Sequence, residues 1–263
     1  MAQWRVPPLR TVRVIRYVTP LREGGSLPAI VEADDEGTYV LKFRGAGQGT
    51  RALIAELVAG ELARALGLPV PELVFADLHA DLARTEPDPE ISALIRASHG
   101  LNLALDYLPG SITFDPLVDA IDPDLASRIV WFDAFVTNMD RTARNTNLLM
   151  WHKRLWLIDH GASLYAHHTP GWASDPGKPT AAFPLISKHV LVRKASGLRA
   201  IDEELASRLT PDVIEDIVSQ IPLEWIDPEG QEPSGVRRED YSRYLLTRLA
   251  APRVFVEEVI GVR

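Results

Sequence analysis

The chain has 263 residues and no cysteine, with 28 basic against 36 acidic side chains and a formal net charge of −8. At roughly 100–200 residues per domain this length allows one large domain or two intimate lobes. The missing cysteine excludes a disulfide framework, a thiolate zinc site and a cysteine nucleophile. Hydrophobic residues make up 46% and charged residues 24% of the chain, the proportions of a globular rather than a disordered protein. No apolar run approaches the roughly 18 residues of a membrane span. Arg5, Arg10, Arg13 and Arg16 fall where a secretory signal needs an apolar core, and the acidic balance argues against a nucleic-acid-coating surface. A cytoplasmic protein without membrane or direct nucleic-acid partners is expected.

In chain order, Val12, Val14 and Val18 alternate with other residues and predict a half-buried strand. A turn at Arg22-Glu23-Gly24-Gly25-Ser26 leads to the apolar run Leu27–Val31. The turn Asp34-Asp35-Glu36-Gly37 then leads to Thr38–Phe43, completing an antiparallel meander. After Gly45-Ala46-Gly47-Gln48-Gly49, Thr50 can cap a helix whose Ile54, Val58, Leu62 and Leu66 recur every fourth residue, and Gly67 and Pro69 end it. Pro71 to Leu78 reads as a strand, 81–99 as an exposed loop and short helix, and Leu101 to Leu108 as a further strand. Residues 123–137 carry Leu125, Ile129, Phe132 and Val136 on one helical face. A polar loop, a short hairpin and a long connection from about Ala162 to Pro184 follow. Helical patterns return near 202–220 and 237–250. The fold class expected is α+β: an antiparallel, strand-rich N-lobe with one main helix over 1–109, and a mainly helical C-lobe over 110–263.

The chemistry concentrates in Asn138-Met139-Asp140-Arg141-Thr142-Ala143-Arg144-Asn145-Thr146-Asn147 and Ile158-Asp159-His160-Gly161. Two short strands, Leu148–Trp151 and Arg154–Ile158, turn at His152-Lys153 between them. A two-residue turn places Trp151 opposite Arg154 and Asp159 opposite Thr146, beside Asn145 and Asn147. Asp140 starts the loop that feeds the same end. Such a cluster suits Mg²⁺, which takes hard oxygen ligands and completes its shell with water and substrate phosphate. Asp159 and Asn145 supply protein oxygens, and Asp140 is free to accept or orient the proton of an incoming hydroxyl. Phosphoryl transfer needs this arrangement, and Lys42, at the end of its strand, is placed to hold nucleotide phosphates.

These residues resemble the catalytic loop and metal-binding motif of protein-kinase-like folds, and their local wording is similar to the HipA-like kinases. Tyr39-Val40-Leu41-Lys42-Phe43, the helix containing Ala55-Glu56, and Leu66-Gly67-Leu68-Pro69-Val70-Pro71 share the family's order and spacing over roughly residues 12–165. The resemblance implies a two-lobed protein-kinase-like fold and an ATP- and Mg²⁺-dependent phosphotransferase. In it Lys42 contacts the α/β-phosphates, Asp140 is the base, and Asn145 and Asp159 bind metal. Gly24, Gly25 and Ser26 form the loop over the phosphates, and Leu105-Asp106-Tyr107-Leu108 is the hinge that reads adenine. For the acid paired with Lys42 the resemblance selects Glu56, whereas periodicity places Glu61 in the stripe of Ile54, Leu57 and Val58. Glu56 is the expected partner, with Glu61 the alternative.

Three departures bound the resemblance. Glu23-Gly24-Gly25-Ser26 is not a G-x-G-x-x-G loop, His160 stands where ordinary protein kinases have Phe, and the few residues before the first strand leave no room for the extra N-terminal region of HipA toxins. A minimal form of the family is therefore expected, and a toxin–antitoxin role does not follow. The acceptor expected is a protein Ser/Thr hydroxyl. The alternatives are a small-molecule or lipid-headgroup kinase, which Asn138 in place of an upstream histidine disfavours, and a nucleotide-binding pseudokinase acting as an interaction module. Ser26 is a candidate for autophosphorylation and equally an ordinary turn serine. His167-His168 reads as part of a mobile loop rather than a metal site, and Gly45–Gly49 as a connector without a Walker ending. Residues 162–200 identify no phosphoacceptor.

Overall fold

The computed structural model describes residues 6–21, 27–47, 49–84, 86–226 and 235–262. Five strands close into a barrel in the order β1-β2-β3-β5-β4. β1 (Thr11–Pro20), β2 (Ala29–Ala33) and β3 (Thr38–Lys42) form the antiparallel meander that the turn residues predict. Between β2 and β3, Asp35 Oδ1 accepts the Gly37 N–H at 3.0 Å. A Cβ on Gly37 would meet the Tyr39 ring at 2.6 Å, so the tight turn needs glycine there. β5 (Gly100–Asp106) pairs antiparallel with both β3 and β4 (Leu73–Leu78).

Two expectations for this region are corrected. The sheet is not wholly antiparallel, because β4 runs parallel to β1, with Thr11 opposite Phe75, and so closes the barrel. Val18 does not share the buried face of Val12 and Val14. It is 42% exposed, because β1 slips register between Val14 and Arg16 and again between Tyr17 and Thr19, which turns the alternation over. Val12, Val14, Val31, Leu41, Val74 and Ala104 fill the barrel interior.

α1 (Gly49–Ala65) is buried on nearly every side, from Leu53 through Ala63. It ends in a Schellman arrangement in which the Leu68 N–H reaches Ala63 O at 2.9 Å and the Gly67 N–H reaches Arg64 O at 2.9 Å, with Gly67 at φ +79°. Thr50 does not cap it. Its hydroxyl donates to Trp225 O at 2.7 Å, which ties the start of α1 to α6 (Leu223–Ile226). The stretch expected to be exposed contains a 3₁₀ turn (Ala80–Arg84) and α2 (Pro89–Ala97), whose Ile91 and Ile95 close one end of the barrel. Asp88 caps α2 and Pro89 starts it, a signal present in the sequence.

α3 (Pro123–Phe135) is capped by Asp122 and buried almost all round. β6 (Ile112–Thr113), β7 (Leu148–Trp151) and β8 (Arg154–Leu157) form a small antiparallel sheet. The helical pattern at 202–220 resolves into α4 (Leu198–Arg208) and α5 (Pro211–Ser219), because Thr210 before Pro211 breaks the helix and caps the next one. α7 (Arg238–Leu249) and α8 (Val254–Gly261) follow. The connection from Ala162 to Pro184 is built of turns, with 3₁₀ segments at Tyr165–His168 and Trp172–Ser174. His167 is a buried side chain of that connection. It is 1% exposed, with its Nδ1 3.3 Å from the Tyr241 hydroxyl and its Nε2 3.1 Å from that of His168. A second core joins α1 to the later helices through Leu57, Phe132, Ile214, Leu245 and Phe255.

Candidate active site

β3 delivers Lys42 to the inner end of α1. Lys42 Nζ lies 2.7 Å from Glu56 Oε2 and 2.5 Å from Asp159 Oδ1. The open alternative is thereby decided: Glu56 is fully buried on Lys42, while Glu61 pairs with Arg64 at 3.1 Å. Burial alone would push the Lys42 ammonium down, but the charges of Glu56 and Asp159 outweigh it and raise it above its ordinary value. Burial likewise opposes the Glu56 carboxylate, and the Lys42 charge reverses that, holding it below the usual range. His160, also fully buried, packs edge-on against Phe132 and brings Nδ1 within 3.5 Å of Glu56 Oε1.

The hairpin has the predicted register. Trp151 faces Arg154 across a two-residue turn in which His152 and Lys153 both have φ > 0, and Ile158 N–H reaches Asn147 O at 3.1 Å. Asp159 and the loop of residues 140–147 are therefore side by side. Asp140 Oδ2 accepts the Asn145 amide at 2.7 Å and the Asn147 amide at 3.3 Å, while the Asp140 N–H donates to Asn138 Oδ1 at 3.1 Å. Burial, with the Asp159 charge adding to it against both asparagine amides, raises the Asp140 carboxyl above its ordinary value. Thr137, Asn147, Asp159 and Leu164 all adopt left-handed backbone, with φ of 53°, 47°, 56° and 53°. Strain of that kind, about 1–3 kcal/mol per residue, gathers where surrounding structure holds functional groups in place.

A cleft between Lys42, Phe43, Gly49, Leu53, Asp159 and Gly161 puts the first turn of α1 against the ion pair. Gly24, Gly25 and Ser26 lie outside the described residues. Along the expected hinge, the Asp106 and Tyr107 N–H groups are taken by Glu72 O (2.9 Å) and Thr38 O (3.0 Å). The Leu108 carbonyl in turn accepts the Ser111 N–H at 3.2 Å.

The oxygens of Asp159 and Asn145 form a hard donor set compatible with Mg²⁺. Among the described residues no group of three or more His, Cys, Asp or Glu gathers to hold a metal by itself.

The contacts that Asp133, Arg141 and His189 make were not legible in the sequence. Arg141 Nε lies 2.6 Å from Asp133 Oδ2, and both side chains are buried. The early signal is one charge, Asp133, within the apolar stripe of α3 beside Ile129 and Phe132, whereas Arg141 lies in a polar run that hides its burial.

The family described as HipA-like kinase matches residues 14–250. The fold is similar to the Helicobacter pylori proinflammatory kinase CtkA, at 13% identity and a TM-score of 0.56, over 97% of this chain and 99% of that one. It is also similar to the Golgi casein kinase with Mn/ADP bound, at 12% identity and a TM-score of 0.50, over 98% of this chain and 75% of that one. At these identities the likeness is one of fold. No curated protein matches the chain. Among the described residues no helix is long and apolar enough to cross a membrane.

Proposed function

The chain belongs to the HipA-like kinases, and from that premise we propose that it transfers the γ-phosphate of ATP, with Mg²⁺, to the hydroxyl of a protein Ser or Thr. The observation that carries this reading is the meeting of Asp159 with the buried Lys42–Glu56 ion pair, beside Asp140 and Asn145. In the proposed reaction the acceptor oxygen attacks the γ-phosphorus, the bond to the β–γ bridging oxygen breaks, and ADP leaves. The acceptor's proton passes to Asp140, whose Oδ2 is held by two amides. Lys42, kept cationic by Glu56, binds the α/β-phosphates. Asp159 and the Asn145 amide oxygen would hold Mg²⁺, which neutralises charge on the phosphates.

Gly24, Gly25 and Ser26 are assigned to the loop over the phosphates and Asp106, Tyr107 and Leu108 to the adenine side. A division near residue 109 is supported by the barrel strands ending at Asp106, with residues 1–109 and 110–263 acting as one catalytic unit. The protein acceptor is supported by the fold's likeness to a casein kinase. The test is transfer of γ-labelled phosphate from Mg-ATP to casein or to the chain itself, compared with Asp140→Ala. Equal rates in the two proteins would remove the role given to Asp140.

A further inference from the structure

Asp133, on α3, lies outside the phosphate and metal set, yet two of the three donors to its carboxylate, Asn138 and Arg141, belong to the stretch around Asp140. The side chain is fully buried. Its Oδ1 accepts the Asn138 amide at 2.8 Å, and its Oδ2 accepts Arg141 Nε at 2.6 Å and His189 Nε2 at 2.9 Å. Three donors converge on two oxygens. His189 Nδ1 accepts the Leu191 N–H at 3.0 Å, so its proton sits on Nε2 and points at Asp133.

Each donor is itself fastened to the reacting groups. Asn138 Oδ1 accepts the Asp140 N–H at 3.1 Å. Arg141 Nη1 donates to Asn147 O and, at 3.4 Å, to Ile158 O, the carbonyl preceding Asp159. Asn147 in turn donates to Asp140 Oδ2 at 3.3 Å. Asp140 is therefore held at its backbone through Asn138 and at its carboxylate through Asn147. Both lines end on Asp133, and the Arg141 line also reaches the start of the Asp159 segment. His189 brings in the stretch beyond residue 184: its Cα pairs with that of Thr142, and Val190 N–H reaches Arg141 O at 3.1 Å.

We propose that Asp133 is the positioning residue of the active site, a buried carboxylate that sets Asp140 and Asp159 at once through Asn138 and Arg141 and locks them to the 184–195 segment through His189. The inference rests on the assignment of Asp140 as proton acceptor. An asparagine at 133 would keep the shape but turn one oxygen into a donor facing other donors, so charge and acceptor count are lost without loss of volume.

The test is steady-state turnover of Mg-ATP by the full chain with casein as acceptor, normalised to the nucleotide-binding fraction, for wild type, Asp133→Asn and Asp140→Ala. A loop displaced by about 1 Å costs on the order of 10²-fold in rate. Asp133→Asn is thus expected to lower kcat by that order with the KM for ATP within about twofold of wild type, whereas a merely structural role would lower the binding fraction and leave kcat per binding site intact. His189→Gln, which keeps an N–H donor for Asp133, is expected to retain more of kcat than His189→Leu, and this pair still decides the matter if Asp133→Asn does not fold. Wild-type kcat in Asp133→Asn, or equal kcat in the two His189 variants, with Asp140→Ala inactive, overturns the positioning role alone. Wild type no faster than Asp140→Ala overturns the Asp140 assignment and this inference with it.

Discussion

Lys42 Nζ sits 2.7 Å from an oxygen of Glu56 that no solvent reaches. Removing one partner of a buried pair leaves the other charge without compensation, which costs about 3–5 kcal/mol. Lys42→Met is therefore expected to destabilise the fold by that order, read as a lower urea midpoint with unchanged slope. Glu56→Gln is expected to cost less stability, since Lys42 keeps Asp159 at 2.5 Å. It should weaken nucleotide binding, measured by calorimetry with Mg-ATP.

Glu61 behaves in the opposite sense. Burial raises its carboxyl above the ordinary value, against the opposing charge of Arg64. A group whose folded pKa lies above its unfolded one binds more protons when folded, so its ionisation weakens the fold as pH rises past the unfolded value. Glu61→Gln is expected to stabilise at pH 7 and to leave ATP affinity unchanged. A loss of affinity in this variant would contradict the assignment of Glu56.

For Asp133, burial opposes ionisation, but the Arg141 charge and the His189 hydrogen bond overcome it and hold the carboxyl well below the usual range. The sign follows from linkage. Stability from this group is complete above the unfolded value, about 3.9 for an aspartate, and is lost as pH falls from there toward the folded one. Urea midpoints of wild type between pH 5 and pH 2.5 should fall more steeply than those of Asp133→Asn. Parallel slopes would mean that Asp133 is not ionised in the fold.

Arg248 is 4% exposed and spends its guanidinium on backbone carbonyls. It donates to Phe135 O at 2.7 Å, Ala134 O at 2.8 Å and Pro179 O at 2.8 Å. It thereby satisfies the last carbonyls of α3, where a cation also complements the helix dipole, and ties down the turn segment at 179–181. Arg248→Met leaves those acceptors unpaired at about 1–3 kcal/mol each. A loss of at least about 3 kcal/mol in urea unfolding is expected, together with faster limited proteolysis between residues 172 and 184.

The candidate site was partly legible because its spacings are local. A two-residue turn at His152-Lys153 fixes where Asp159 falls beside Asn145, and Lys42 ends a strand whose bounds the turn residues mark. Glu56 and Glu61 could not be separated by periodicity, because a helix buried on all sides has no polar face to betray orientation. Asp133 and His189 stand 56 positions apart, and nothing local couples them. The parallel closure of β1 on β4 and the slips that expose Val18 depend on long-range register, which alternation alone does not encode. α2 was legible in its Asp88-Pro89 start but masked by a run of acids and prolines.

The fastening of α1 to α6, through Thr50 and Trp225 and extended by the Trp225 indole donating to Leu101 O at 3.1 Å, bears on how the molecule assembles. α1 packs against α5 and α6, helices encoded more than a hundred residues after Glu56, in a core that also includes residues as distant as Val6 and Val259. Contacts so remote in sequence form slowly and together. Calorimetry should accordingly give one transition for the whole chain rather than one for the barrel and another for the helices. A fragment of residues 1–109 should collapse without ordering the helix that carries Glu56, so the ion pair is a product of complete folding rather than a feature of the first 109 residues.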